Sequence, residues 1–116
     1  MSKCLFCEIA AGKIPAQFVT QTERLMAFRD INPQAPIHLL IIPIKHFTSL
    51  EDFIEGGNDG LLGRAFIVAH KVAHEMGIAE KGYRLILNEG EYGGKLVPHL
   101  HIHLLGGKRL GPKIVK

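Results

Sequence analysis

The sequence predicts an α+β domain built on a mainly antiparallel sheet, with one long helix and a short N-terminal helix. Three observations predict it. Apolar residues at 61, 62, 65, 66, 69, 72, 73 and 76 recur at helical spacing and mark one long amphipathic helix. Short β-rich runs stand on both sides of it, bounded by Pro, Gly, Asn and Asp. The segment His99–Leu105 alternates His with Leu or Ile, the period of a strand with two different faces.

The elements follow in order. Residues 4–11 (Cys-Leu-Phe-Cys-Glu-Ile-Ala-Ala) predict a short helix, with Gly12 as its stop and Pro15 blocking continuation. Phe18–Thr20 and Leu25–Arg29 predict two strands of a hairpin joined by polar residues 21–24. Residues 30–36 form a loop, because Pro33 and Pro36 resist regular pairing. His38–Ile42 is a continuous apolar run entered by one histidine, which predicts a central strand closed by Pro43. Ser49-Leu50-Glu51-Asp52 has the form of a capping box, so a brief helix starts there and ends at Gly56-Gly57. Asn58 or Asp59 then caps the long helix, Leu61–Met76, which Gly77 stops. Two last strands, Tyr83–Asn88 and His99–Leu105, flank the Gly-rich loop 89–95.

Composition narrows the function classes. The 116 residues form one domain, and 47% hydrophobic against 22% charged residues supports a real core and excludes a disordered chain. No run reaches the roughly 18 apolar residues of a membrane span. The start, Met1-Ser2-Lys3-Cys4, lacks a long apolar signal region, so a soluble, cytoplasmic protein without a membrane partner is expected. The net charge of +3 suits an anionic small molecule. Basic residues are scattered except Lys108, Arg109, Lys113 and Lys116, and without a longer stripe no nucleic-acid partner is expected.

The histidines carry the chemistry. In a strand, His99, His101 and His103 share one face, and Leu100, Ile102 and Leu104 the other. A three-histidine metal site fits poorly. Residues two apart on one face are roughly 6.6 Å apart and the outer pair about 13 Å, whereas a zinc–nitrogen bond is about 2.0 Å. Three distinct roles are the better account. Neutral imidazole is a nucleophile and an acid–base group near neutral pH. One histidine attacking phosphorus would form a covalent intermediate while a second protonates or positions the leaving group. Gly93 and Gly94, just before this strand, would let backbone N–H groups approach an anion, although a plain turn is the commoner meaning of Gly-Gly. Cys4 and Cys7 have zinc-knuckle spacing; the alternative is a pair of reduced thiols, one packed and one exposed. His70 and His74 lie four apart but off the apolar stripe, as exposed helix residues do.

Three segments carry a resemblance: Phe28 to Pro43, Gly82 to Gly90, and Gly93 to Gly107 with its His-φ-His-φ-His-φ-φ pattern. Across nearly the whole chain the sequence resembles the histidine-triad (HIT) family, in particular its Hint-like branch of purine nucleoside phosphoramidate hydrolases. Gly106-Gly107 and the Pro-Gln-Ala-Pro loop favour that branch over the Fhit-like dinucleoside polyphosphate hydrolases. The resemblance implies a single HIT domain over residues 1–116, pairing into a homodimer through the long helix and a strand. It makes His101 the nucleophile and His103 the residue on the α-phosphate. His99 and His38 support them, with His38 orienting the nucleophile's ring. It places Asp30 on the ribose hydroxyls beside Ile31, and Phe6, Ile9, Ile14, Phe28 and Leu40 around the purine. Asn88, Gly94, Lys95 and Leu96 fall on the phosphate side. Some relatives bind zinc with the residues matching Cys4, Cys7, His46 and His99, which implies a structural zinc here and no cofactor for catalysis.

Two positions depart from the pattern. Leu96 stands where animal Hint proteins carry a serine that assists the leaving group, and Pro98 replaces a usual aromatic. The function expected is cleavage of the P–N bond in AMP-amine compounds through a nucleotidyl-histidine. Alternatives are a dinucleoside polyphosphate hydrolase and a nucleotide-binding interaction protein with little turnover.

Overall fold

The sheet is antiparallel throughout, and its strand order explains why one of its strands is apolar on both faces. The computed structural model describes residues 4–112 and residue 114. The start Met1–Lys3 and the tail lysines Lys113 and Lys116, singled out above, lie outside the described residues. The elements are α1 (Leu5–Ala10), β1 (Phe18–Gln21), β2 (Leu25–Arg29), β3 (Ile37–Pro43), α2 (Leu50–Glu55), α3 (Asp59–Glu75), β4 (Tyr83–Ile86) and β5 (Ile102–Gly106). They form a five-stranded sheet in the order β1-β2-β3-β5-β4. Among the described residues no helix is long and apolar enough to cross a membrane.

β3 is central, and every residue from His38 to Pro43 is buried. One face packs Leu39 and Ile41 with Leu25, Ala27, Ile102 and Leu104 against the α3 residues Leu61, Ala65, Ala69, Val72 and Ala73. The other face packs Leu40 and Ile42 with Met26 and Phe28 under Phe6 and Ile9 of α1. A strand covered on both faces needs no polar alternation, hence the run Leu-Leu-Ile-Ile. The six-residue α1 is much shorter than the 17-residue α3, so it covers only part of its face. The uncovered part is where the site lies.

Helix ends follow side-chain chemistry. Ser49 Oγ accepts from Asp52 N at 3.1 Å, the expected half of the box at α2. The reciprocal half is shifted by one residue, since Asp52 Oδ2 accepts from Thr48 N at 3.0 Å. At α3, Asn58 holds the cap position without a side-chain cap bond. Its amide donates to Phe53 O instead.

Three sequence expectations are corrected. The buried stripe of α3 includes Val68 but not Phe66, which is 41% exposed beside Ile67. The last strand starts at Ile102, not His99. Its ladder with β3 pairs Ile41 with Ile102, which would set Leu100 opposite Pro43. Proline has no N–H to continue the ladder. Pro43 O is taken by His99 Nε2, and Leu100 N donates to Phe47 O instead. The side chains still alternate, with Leu100, Ile102 and Leu104 in the α3 core. For the same reason β4 ends at Ile86, opposite His103: beyond it, Leu87 and Asn88 have no regular strand to pair with.

Candidate active site and metal-binding cluster

Register places the functional side chains on the partly covered face. β3 pairs His38 with Leu105 and Leu40 with His103, and β4 pairs Ile86 with His103. His38 and His103 therefore project to one side as neighbours. They line a cavity of about 410 Å³ with His101, Asp30 and Asn88. Its apolar wall comes from Phe6, Ile9 and Ile14 near α1 and from Phe28 and Leu40 of the sheet. Ile31, Gly94 and Leu96 complete the expected lining. Leu5, Pro15, Ala16, Arg29, Asn32, Gln34 and Val97 also line it; Arg29, Asn32, Gln34 and Val97 lie in the segments that carry the resemblance, while Leu5, Pro15 and Ala16 had no motif to announce them. Lys95 does not line it: its Nζ is 3.5 Å from Glu89 Oε1 and also bonds Thr48 O.

Hydrogen bonds fix which nitrogen of each imidazole carries the proton. His101 Nδ1 lies 2.6 Å from His99 O, a carbonyl that can only accept, so Nδ1 holds the hydrogen. Nε2 of His101 is then the lone-pair nitrogen. His38 Nδ1 accepts from Gln34 N at 3.0 Å, which puts the His38 hydrogen on Nε2. That N–H faces His103 Nδ1 at 2.9 Å and Asp30 Oδ2 at 3.4 Å. His103 accepts on Nδ1 and carries its hydrogen on Nε2. The chain Gln34–His38–His103 thus leaves a donor on His103, and the His99 carbonyl leaves a lone pair on His101 Nε2.

Burial keeps these rings neutral. His38 and His101 are each 5% exposed. Desolvation lowers the pKa of both below the ordinary imidazole value. His103 is pushed down to about 4, chiefly by desolvation and then by His101 and His38. The edge of Phe6 meets the His101 ring at 5.0 Å between centroids and limits how it can turn.

Two expected roles change. His38 orients His103, and the ring of His101 is held by the backbone carbonyl of His99. A backbone partner leaves no mark in a motif. His99 itself is fully buried and does not line the cavity.

His99 belongs to a second cluster. Its Nε2 donates to Pro43 O at 2.9 Å, so its Nδ1 presents a lone pair toward Cys4 Sγ at 3.2 Å, Cys7 Sγ at 3.5 Å and His46 Nδ1 at 3.2 Å. Cys7 Sγ lies 3.2 Å from His46 Nδ1. The four donor atoms lie within 4.8 Å of one another. Tetrahedral zinc with bonds of about 2.0–2.3 Å separates its ligands by roughly 3.3–3.8 Å. The donor set and spacing therefore fit that ion. Cys4 occupies the N-cap of α1 and accepts from Cys7 N, which turns both sulfurs to the same side. Asp30, His38 and His103 also fall within reach of one another, but that group is explained by the hydrogen bonds above. The three histidines of the motif do not converge on one point, as the strand spacing predicts.

At Gly93 the Gly-rich loop has no room for a side chain. A Cβ on Gly93 would fall 2.1 Å from Glu89 O. Asn88 Nδ2 donates to Gly93 O at 2.6 Å and pins the loop over the cavity. Gly93 is thus the turn residue, while Gly94 is the one that borders the cavity. His70 and His74 are exposed on α3, as expected, with His70 Nδ1 2.9 Å from Tyr83 OH.

Comparison with known proteins agrees with this arrangement. The HIT domain model matches residues 11–110. A protein of Escherichia coli (strain K12) named purine nucleoside phosphoramidase is 46% identical over 110 residues, spanning 95% of this chain and 92% of its own. A HIT family hydrolase from Clostridium thermocellum superposes with a TM-score of 0.93 at 46% identity and covers 99% of each chain. Another, from Legionella pneumophila, gives 0.89 at 47% identity over 95% of this chain and 97% of its own. With the triad, its cavity and these matches spanning nearly its whole length, the chain belongs to the HIT family.

Proposed function

We propose that this protein hydrolyses the P–N bond of purine nucleoside phosphoramidates, compounds of the AMP-amine type, through a nucleotidyl-histidine. The observation that carries the reading is the lone pair on His101 Nε2, fixed by the bond from Nδ1–H to His99 O. The similarity to the Escherichia coli phosphoramidase supports the substrate class. The purine lies among Phe6, Ile9, Ile14, Phe28 and Leu40, and Asp30 beside Ile31 accepts from the ribose hydroxyls. His101 Nε2 attacks the α-phosphorus, and the P–N bond breaks. The amine leaves with the bonding pair and takes up a proton from solvent, because Leu96 offers no side-chain donor. His103 Nε2–H bonds the phosphate oxygens and stabilises the charge that develops there. Water then attacks the same phosphorus, loses a proton, and releases AMP from His101. Each step uses this chain's side chains and water.

Zinc on Cys4, Cys7, His46 and His99 is structural in this reading: it would tie α1 to the segment that precedes β5. A homodimer and a cytoplasmic location complete it. Phe66 and Ile67, apolar and exposed on α3, and the edge strand β4 are the surfaces such a dimer would cover. Free Cys4 and Cys7 agree with a reducing compartment. The test is turnover of a fluorogenic adenosine phosphoramidate beside diadenosine polyphosphate. The phosphoramidate should be the better substrate, and His101→Ala should lower its turnover by at least ~10³-fold. Full activity in that variant would refute the nucleophile. AMP binding with turnover of neither compound would favour a binding protein.

A further inference from the structure

A second concavity opens directly off the catalytic histidines. It has a volume of about 460 Å³ and shares Gln34, His38, Asn88 and His103 with the nucleotide cavity. The remainder of its lining is Arg84, Ile86, Leu105, Lys108, Arg109 and Leu110. Among the described residues, three cations and no carboxylate line it. Sheet register explains Arg84: it pairs with Leu105 and Ile86 pairs with His103, so both side chains emerge on the face that bears the site. Lys108 and Arg109 follow β5 and are exposed. Arg84 also donates to Gly111 O, which holds the segment after β5 against the rim.

The position gives this basic groove a meaning. A nucleotide with its base among the apolar residues puts its α-phosphate at the residues shared by the two cavities. Whatever is bonded to that phosphorus on the far side from the ribose then extends into the groove. We propose that this groove receives the leaving group and selects one bearing an anionic group, such as an amine that carries a carboxylate. The selection rests on the phosphoramidase reading only for the chemistry of the bond broken; the preference for an anion rests on Arg84, Lys108 and Arg109. Concave walls of one sign concentrate the opposite charge. The anion could be a carboxylate on the amine or the further phosphate of a nucleoside diphosphate, and the two are separable.

The test compares adenosine phosphoramidates of one amino acid as the free acid and as the neutral amide, linked through the amino nitrogen, with adenosine diphosphate as the phosphate arm. Affinities are measured in the His101→Ala protein, which should turn over neither compound, and kcat/KM in the native protein. The acid should bind about tenfold tighter than the amide, and its kcat/KM should be higher by a similar factor. The gap should narrow as salt is raised. The Lys108→Gln, Arg109→Gln double variant lies outside the sheet, keeps Arg84, and should lower the affinity ratio severalfold while hydrolysis of the amide persists. A diphosphate that binds tighter than AMP by a margin lost in the same variant, with no preference for the acid, would identify phosphate as the anion. Equal affinities for acid and amide together with no gain for the diphosphate would overturn the proposal, as would preferences that the double variant leaves undiminished. Failure of the native protein to hydrolyse either phosphoramidate would refute the phosphoramidase reading separately, since the affinity ratios still judge the groove.

Discussion

Replacing His38 with leucine removes the donor that sets the tautomer of His103. The bond concerned is 2.9 Å from His38 Nε2 to His103 Nδ1, inside a site where His38 is 5% exposed. A neutral hydrogen bond of this kind contributes about 1–1.5 kcal/mol. Without it the His103 hydrogen is free to move to Nδ1, and Nε2 then turns a lone pair toward the phosphate. Since about 1.4 kcal/mol is a factor of ten, kcat/KM on an adenosine phosphoramidate should fall about tenfold. Gln34 N also loses its acceptor, so the variant should be less stable by about 1–3 kcal/mol in urea unfolding. His38→Gln keeps an N–H donor and should lose less activity than leucine. The decisive readout is the nitrogen NMR spectrum of His103, which should show the hydrogen on Nε2 in the native protein and a mixture in His38→Leu. A folded His38→Leu protein with native kcat/KM and an unchanged His103 tautomer would refute the relay.

Three further outcomes are expected. His103 has a folded pKa of about 4 against an ordinary 6.5, so the unfolded chain binds more protons between those values. Its contribution is complete above pH 6.5 and is lost as pH falls toward 4; for this group the loss should not exceed about 3 kcal/mol, seen as a falling urea midpoint across that window. Protein purified without chelator should carry about one zinc per chain, and Cys7→Ser should lower both zinc content and melting temperature; a metal-free native protein of full stability would remove the zinc reading. Gly93→Ala sets a methyl 2.1 Å from Glu89 O, so the loop must open. A stability loss of about 1–3 kcal/mol and a raised KM are expected, and a native KM would show that the loop does not shape the cavity.

Much of the site was legible because its residues obey local rules. The alternation of His99, His101 and His103 with leucine and isoleucine placed them opposite the α3 core before any fold was known. The strand spacing of roughly 6.6 Å argued against one metal shared by all three, and the histidines do divide between a cavity and a cysteine cluster. Lys95 stays off the cavity lining because a long side chain beside a loop can turn either way, and here Glu89 and Thr48 O engage its amine while the side chain is largely buried. The role of His38 was misassigned because its partner is set by register across β3 and β5, which sequence order does not reveal.

By itself the sequence determined the kinds of element, their order, and which residue types could do chemistry: periods of 2 and 3.6, prolines and glycines act over a few residues and can be read in place. Only the tertiary structure decided where strands stop, which nitrogen of each imidazole bears the proton, and which cations border the leaving-group side. Those depend on contacts between residues such as Pro43 and His99, or His38 and His103, that lie more than 50 positions apart. Such contacts exist only after the chain has paid the entropy of bringing them together.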